Sequence, residues 1–135
     1  MKSIATFLML VGDQHGKAEE AITFYTSSFK DSAIANIERW QAGSNEPEGG
    51  IKIAKFILNG VEYMAPENTI DHGFTFTPAI SLFVECESAE EIQSAHDARV
   101  DRGKSLMPID NNGFSKRLGW VDDRYGVSWQ LNLAD

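Results

Sequence analysis

Gly119-Trp-Val-Asp-Asp-Arg-Tyr-Gly-Val-Ser-Trp-Gln-Leu-Asn-Leu133 is the stretch on which the reading of this chain turns. It predicts two β-strands joined by a turn at Asp122-Asp123-Arg124-Tyr125-Gly126. In the second strand Val127, Trp129, Leu131 and Leu133 share one face, while Ser128, Gln130 and Asn132 share the other. Alternation of period two means that one face packs on a core. The polar face either meets solvent or lines a pocket, and the strand by itself does not separate the two.

Upstream lies a second hairpin of the same kind. Ile51–Leu58 and Val61–Ala65 flank Asn59-Gly60, a pair that tolerates the positive φ of a type I′ turn. Further strands are expected at Ile4–Val11, Ala33–Trp40, Ala79–Glu85 and Ser105–Ile109. A helix over Lys17–Phe29 follows from the spacing of Ala18, Ala21, Ile22, Tyr25 and Phe29. A second begins at Ser88, with Glu91 completing a capping box, and runs to about Arg102, where Gly103 is expected to be the C-cap. The segments Gln41–Gly50 and Pro66–Pro78 read as loops, and Asp110-Asn111-Asn112-Gly113 as a turn.

Each half is therefore strand, helix, strand, strand, strand. The residues repeat as well: Leu8-Met9-Leu10 precedes Ala18-Glu19-Glu20-Ala21-Ile22, and Leu82-Phe83-Val84 precedes Ala89-Glu90-Glu91-Ile92. Val61-Glu62-Tyr63-Met64 corresponds to Val127-Ser128-Trp129-Gln130. The fold class is α+β: two βαβββ modules forming curved mixed sheets around a cleft, with the helices on the convex side.

Composition narrows the function classes. The 135 residues carry a net charge of −8 and no basic cluster beyond Lys116-Arg117, which argues against nucleic acid and anionic membrane surfaces. No apolar run approaches the roughly 20 residues of a membrane span. The run Ile4–Val11 after Lys2 lacks a small-x-small cleavage site and reads as a buried strand, not a leader. The one cysteine, Cys86, has no intrachain partner, so a reducing, cytoplasmic setting is expected. No cofactor motif is present: Gly12 and Gly16 lie between strand and helix, but there is no G-x-G-x-G.

The duplication, Ala18-Glu-Glu-Ala-Ile-Thr-Phe-Tyr25, Ile80-Ser-Leu-Phe-Val-Glu-Cys86 and Gly119–Gln130 together resemble the vicinal oxygen chelate superfamily over nearly the whole chain. That group includes glyoxalase I, extradiol dioxygenases and bleomycin-resistance proteins. Within it the chain is similar to the PhnB-like branch, whose members are often labelled 3-demethylubiquinone-9 3-methyltransferase. The resemblance implies one domain over 1–135, with modules at about 1–66 and 78–135. It also implies a homodimer. Methyltransfer itself is not expected, because S-adenosylmethionine is usually held by a doubly wound α/β domain and this chain has only two helices.

Catalytic relatives hold a divalent metal with His or Glu from the first and last strands of each module. Laid on this chain, those positions fall on Phe7, Met64, Ser81 and Gln130, which are poor ligands for such ions. His15, His72 and His96 are expected to be solvated. No metal site is therefore expected, and the reading is a metal-independent small-molecule-binding protein. Its pocket would be lined by Phe7, Met9, Glu62, Met64, Ser81, Phe83, Trp120, Ser128 and Gln130, with Phe114 as a further aromatic wall. The bland counterpart is that the apolar members merely fill a closed core. The alternative function is a PhnB-like enzyme of the lyase or isomerase class, with Glu62 as acid or base.

Overall fold

The computed structural model of the chain describes residues 1–110 and 117–134. Two compact units divide it, Met1–Thr75 and Phe76–Asp135. In chain order the first contains β1 (Thr6–Phe7), α1 (Ala18–Ser27), β2 (Ala33–Arg39), β3 (Ile51–Leu58) and β4 (Val61–Ala65). The second contains β5 (Ser81–Glu85), α2 (Ala89–Val100), β6 (Lys104–Asp110), β7 (Arg117–Asp122) and β8 (Ser128–Leu133). Their sheets are ordered β1-β4-β3-β2 and β5-β8-β7-β6. In each, the first strand runs parallel to the last and the other pairings are antiparallel. This is the expected βαβββ duplication. The Asn111–Gly113 part of the expected turn and Phe114 lie outside the described residues.

In the first unit α1 buries Ala18, Ala21, Ile22 and Tyr25 against the sheet. The Tyr25 ring stacks on Phe56 at 6.4 Å between centroids, and Phe56 stacks on Tyr63 at 5.5 Å. Nothing on Lys17 caps this helix; the buried Glu67 carboxylate does so instead, accepting from Ala18 N at 3.3 Å and from Ile51 N at 2.8 Å. The expected strand at Ile4–Val11 is correct in course but not in length or burial. Thr6 and Phe7 are exposed, whereas Leu8, Leu10 and Val11 are buried. Leu8 N still bonds Met64 O and Leu10 N bonds Pro66 O, so the extended course continues beyond β1.

In the second unit Trp129, Val121 and Leu131 lie under α2. The buried Arg99 guanidinium of α2 sits 4.2 Å from the Trp129 ring. Ser88 caps α2 by accepting from Glu91 N at 3.1 Å, but Glu91 Oε1 accepts from Glu87 N, one residue before the cap. Gly103 is not the left-handed C-cap. Arg102 takes that conformation, with φ 58°. Gly103 is required for a different reason: a Cβ there would meet Asp122 O at 2.3 Å and Arg99 O at 2.5 Å.

Candidate functional site

The face opposite each helix carries the residues of interest, and strand register arranges them. Both closing hairpins have a glycine in the left-handed region followed by Val, Gly60 at φ 81° and Gly126 at φ 87°, so Met64 and Gln130 occupy equivalent positions. Across the parallel pairings Phe7 faces Met64, and Phe83 faces Gln130. Phe83 thus stands where Phe7 stands, and Ser81 lies two residues away on the same face. A slip of two preserves the face while changing the neighbour.

In the first unit Met64 is flanked by Phe7 and Lys55, and Glu62 lies opposite Ile57. Phe7 is 51% exposed; Met9, Glu62 and Met64 are half-buried. In the second unit one row runs Phe83, Gln130, Trp120, Met107, and the next runs Ser81, Ser128, Asp122, Lys104. Phe83 is 55% exposed, and Gln130 is half-buried with no side-chain hydrogen bond to a described residue. Ser128 is buried; its Oγ accepts from Trp120 Nε1 at 2.8 Å and lies 2.8 Å from Ser81 Oγ. Asn132 is also buried, and its Nδ2 donates to Glu85 Oε2 at 2.9 Å. The polar face of β8 is therefore not a solvent face.

Asp122 is the residue that the sequence did not single out. Its Oδ1 is buried without a hydrogen-bond partner among the described residues. Burial pushes its carboxyl above the usual range, the neighbouring Asp123 charge pushes the same way, and Lys104 opposes them. Asp123, next in the chain, has a structural task. Its Oδ1 accepts from Tyr125 N and Val127 N at 2.8 and 3.0 Å, and its Oδ2 accepts from Trp129 Nε1 at 2.9 Å.

The histidines differ from expectation in one case. His15 and His72 are partly exposed, and His72 Nε2 lies 3.0 Å from Asn68 Oδ1. His96 is not solvated: its side chain is 15% exposed and its Nε2 is buried without a partner among the described residues. Among the described residues, no three His, Cys, Asp or Glu side chains cluster so as to hold an ion. An open groove lined by Glu90, Gln93, Asp97 and Arg117 lies along α2 and contains none of the expected lining residues.

With two such βαβββ units, the fold is that of the vicinal oxygen chelate group. At 11% identity and TM-score 0.62, a glyoxylase/bleomycin resistance protein/dioxygenase domain from Frankia sp. matches all of this chain over 99% of its own. The fosfomycin resistance protein FosX from Listeria monocytogenes, solved with Mn(II) and a dihydroxypropylphosphonic acid, matches at 10% identity and TM-score 0.60, covering 98% of this chain and 92% of its own. The chain belongs to the 3-demethylubiquinone-9 3-methyltransferase family, whose model matches residues 2–132. A PhnB protein from Bacillus cereus bearing that methyltransferase name is 47% identical, with TM-score 0.91, covering 98% of this chain and 100% of its own. No curated protein matches the chain.

Proposed function

We propose that this chain is a metal-independent small-molecule-binding protein of the glyoxalase/bleomycin-resistance type, with its ligand on the helix-free sheet faces. The observation that carries the reading is the row Phe83, Gln130, Trp120: an exposed aromatic ring beside an amide that no described residue engages. An apolar surface with a few convergent polar groups is the usual form of a small-molecule site. Phe7, Met9, Glu62 and Met64 offer a similar surface on the first unit. A divalent ion does not fit the donor set, since Phe7, Met64, Phe83 and Gln130 offer only phenyl, thioether and neutral amide groups at the corresponding positions, with the Ser81 hydroxyl two residues away. Methyltransfer is not part of the proposal, because each unit carries one helix on a mixed sheet instead of a doubly wound domain.

A thermal-shift screen with aromatic ketones and phenols against Zn²⁺, Ni²⁺ and Mn²⁺ tests this. The organic probes should raise the melting temperature and the ions should not. Chelator-reversible stabilisation by an ion would overturn it. A second reading, acid–base catalysis, is favoured by one observation, the raised carboxyl of Asp122 beside Ser128. On that reading Asp122 replaces Glu62 as the acid or base. A homodimer belongs to the proposal too, since a second copy would cover exposed apolar side chains outside the ligand rows, such as Val61 and Ile80.

A further inference from the structure

Three side chains on the helix-free face of the second unit form a chain whose proton direction can be worked out. The Trp120 indole only donates, so Ser128 Oγ must accept from it. Ser128 is 1% exposed, and its own hydroxyl proton therefore needs an acceptor inside the protein. Ser81 Oγ, 2.8 Å away, is the only acceptor that the described residues offer. The indole cannot take the proton, and the buried Asp122 Oδ1, on the residue paired with Ser128, has no hydrogen-bond partner among the described residues. Ser128 thus donates to Ser81. The Ser81 hydroxyl proton has no acceptor among the described residues and points away from the pair, from the half-buried edge strand β5.

We propose that Ser81 is an oriented hydrogen-bond donor, and that the ligand carries a carbonyl or oxyanion oxygen seated on it, attached to an apolar or aromatic body. The proposal rests on the reading that this sheet face binds the ligand, and it names the ligand's chemistry. A row of three groups donating in one sense polarises itself, so an acceptor at its end strengthens every bond behind it. Phe83, two residues along β5 on the same face, supplies the flat apolar contact. Gln130, opposite Phe83, can add a second donor from its amide. A ligand that presents only N–H groups at Ser81 would leave the outward hydroxyl proton without an acceptor, so the site favours an acceptor oxygen there.

The chain contains three tryptophans, and their indoles end on three different acceptors: Trp40 on Glu67 O, Trp120 on Ser128 Oγ and Trp129 on Asp123 Oδ2. Indole ¹⁵N–¹H spectra therefore contain two internal controls. The probes are acetophenone, which has an acceptor oxygen, and ethylbenzene, which has nearly the same shape and none. Acetophenone should move the Trp120 indole proton downfield and leave Trp40 and Trp129 in place. Ser81→Ala should abolish that shift and weaken acetophenone about five- to tenfold, the worth of one hydrogen bond, while leaving ethylbenzene unchanged. Ser81→Thr should restore both the shift and the affinity. If both probes bind the Phe83–Gln130 face equally and Ser81→Ala alters neither, the oriented donor is wrong while the binding face stands. If neither probe at millimolar concentration moves any resonance of Phe83, Gln130 or Trp120, the binding face is wrong and the inference falls with it.

Discussion

The two adjacent aspartates at the end of β7 do opposite things, because one is satisfied and the other is not. Asp123 closes the β7–β8 turn through two backbone N–H groups and the Trp129 indole, all buried. Asp123→Ala would strand those donors, and urea unfolding should show a loss of about 3 kcal/mol or more. Asp122 has a folded-state carboxyl raised above its ordinary 3.8. The folded protein then holds this proton more tightly than the unfolded chain does. The stability this contributes is complete below 3.8 and is lost as pH rises through the raised folded value. Asp122→Asn should remove that part of the pH dependence, so the variant should gain on the parent as pH rises from 4 to 7. Equal urea midpoints at both pH values would contradict the assignment. Cys86 is shifted in the same direction for the same reason: burial pushes its thiol up to about 11 from 9.0. Its reaction with a thiol reagent at pH 8 should be roughly a hundredfold slower in the native protein than in urea.

At the scale of elements, the end of α2 is the most informative. Arg102 adopts φ 58°, where a non-glycine residue is strained, while Gly103 abuts the β7 backbone. Arg102→Gly should therefore be neutral or stabilising by up to about 1 kcal/mol. Gly103→Ala should destabilise by several times that amount, because its two closest contacts are backbone carbonyl oxygens that cannot swing aside. Thermal unfolding of the two variants separates the roles. The sequence pattern predicted a glycine cap at this point, since spacing reveals where a helix stops but not which backbone passes beside it. Other elements were legible in full. The bounds of β3 and β4 follow from Asn59-Gly60, whose turn geometry fixes the hairpin. The parallel strands β1 and β5 were less legible, because no tight turn ties them to their partners. Phe7 does face Met64 as the sequence pattern expects, but on β5 it is Phe83 that faces Gln130, two residues from the expected Ser81. The Ser81–Ser128 contact was hidden for the same reason, as parallel pairing joins residues 47 apart in the chain. Asp122 was missed because an Asp-Asp pair before Arg-Tyr-Gly looks like turn polarity, and only the cross-strand pairing with Ser128 puts it on the candidate face.

For the whole molecule, duplication has given two units with the same strand order and different surfaces. The helix-free face of the first presents Phe7, Met64, Lys55 and Glu62, whereas that of the second presents Phe83, Gln130 and the Trp120-Ser128-Ser81 chain. If a second copy covers exposed apolar side chains such as Val61 and Ile80, sedimentation equilibrium at micromolar concentration should show twice the 15.0 kDa chain mass. A 15.0 kDa species there would remove the dimer from the account. The central claim is that this member of a fold used for metal chemistry binds its ligand without a metal. Titration with Mn²⁺, followed by paramagnetic broadening of assigned backbone amides, tests it most directly. Ser81, Phe83, Gln130, Phe7 and Met64 should stay sharp at one equivalent of the ion, with only weak, unsaturated broadening near exposed acidic side chains. Broadening that saturates at one equivalent and centres on Gln130, Ser81 or Met64 would contradict the claim.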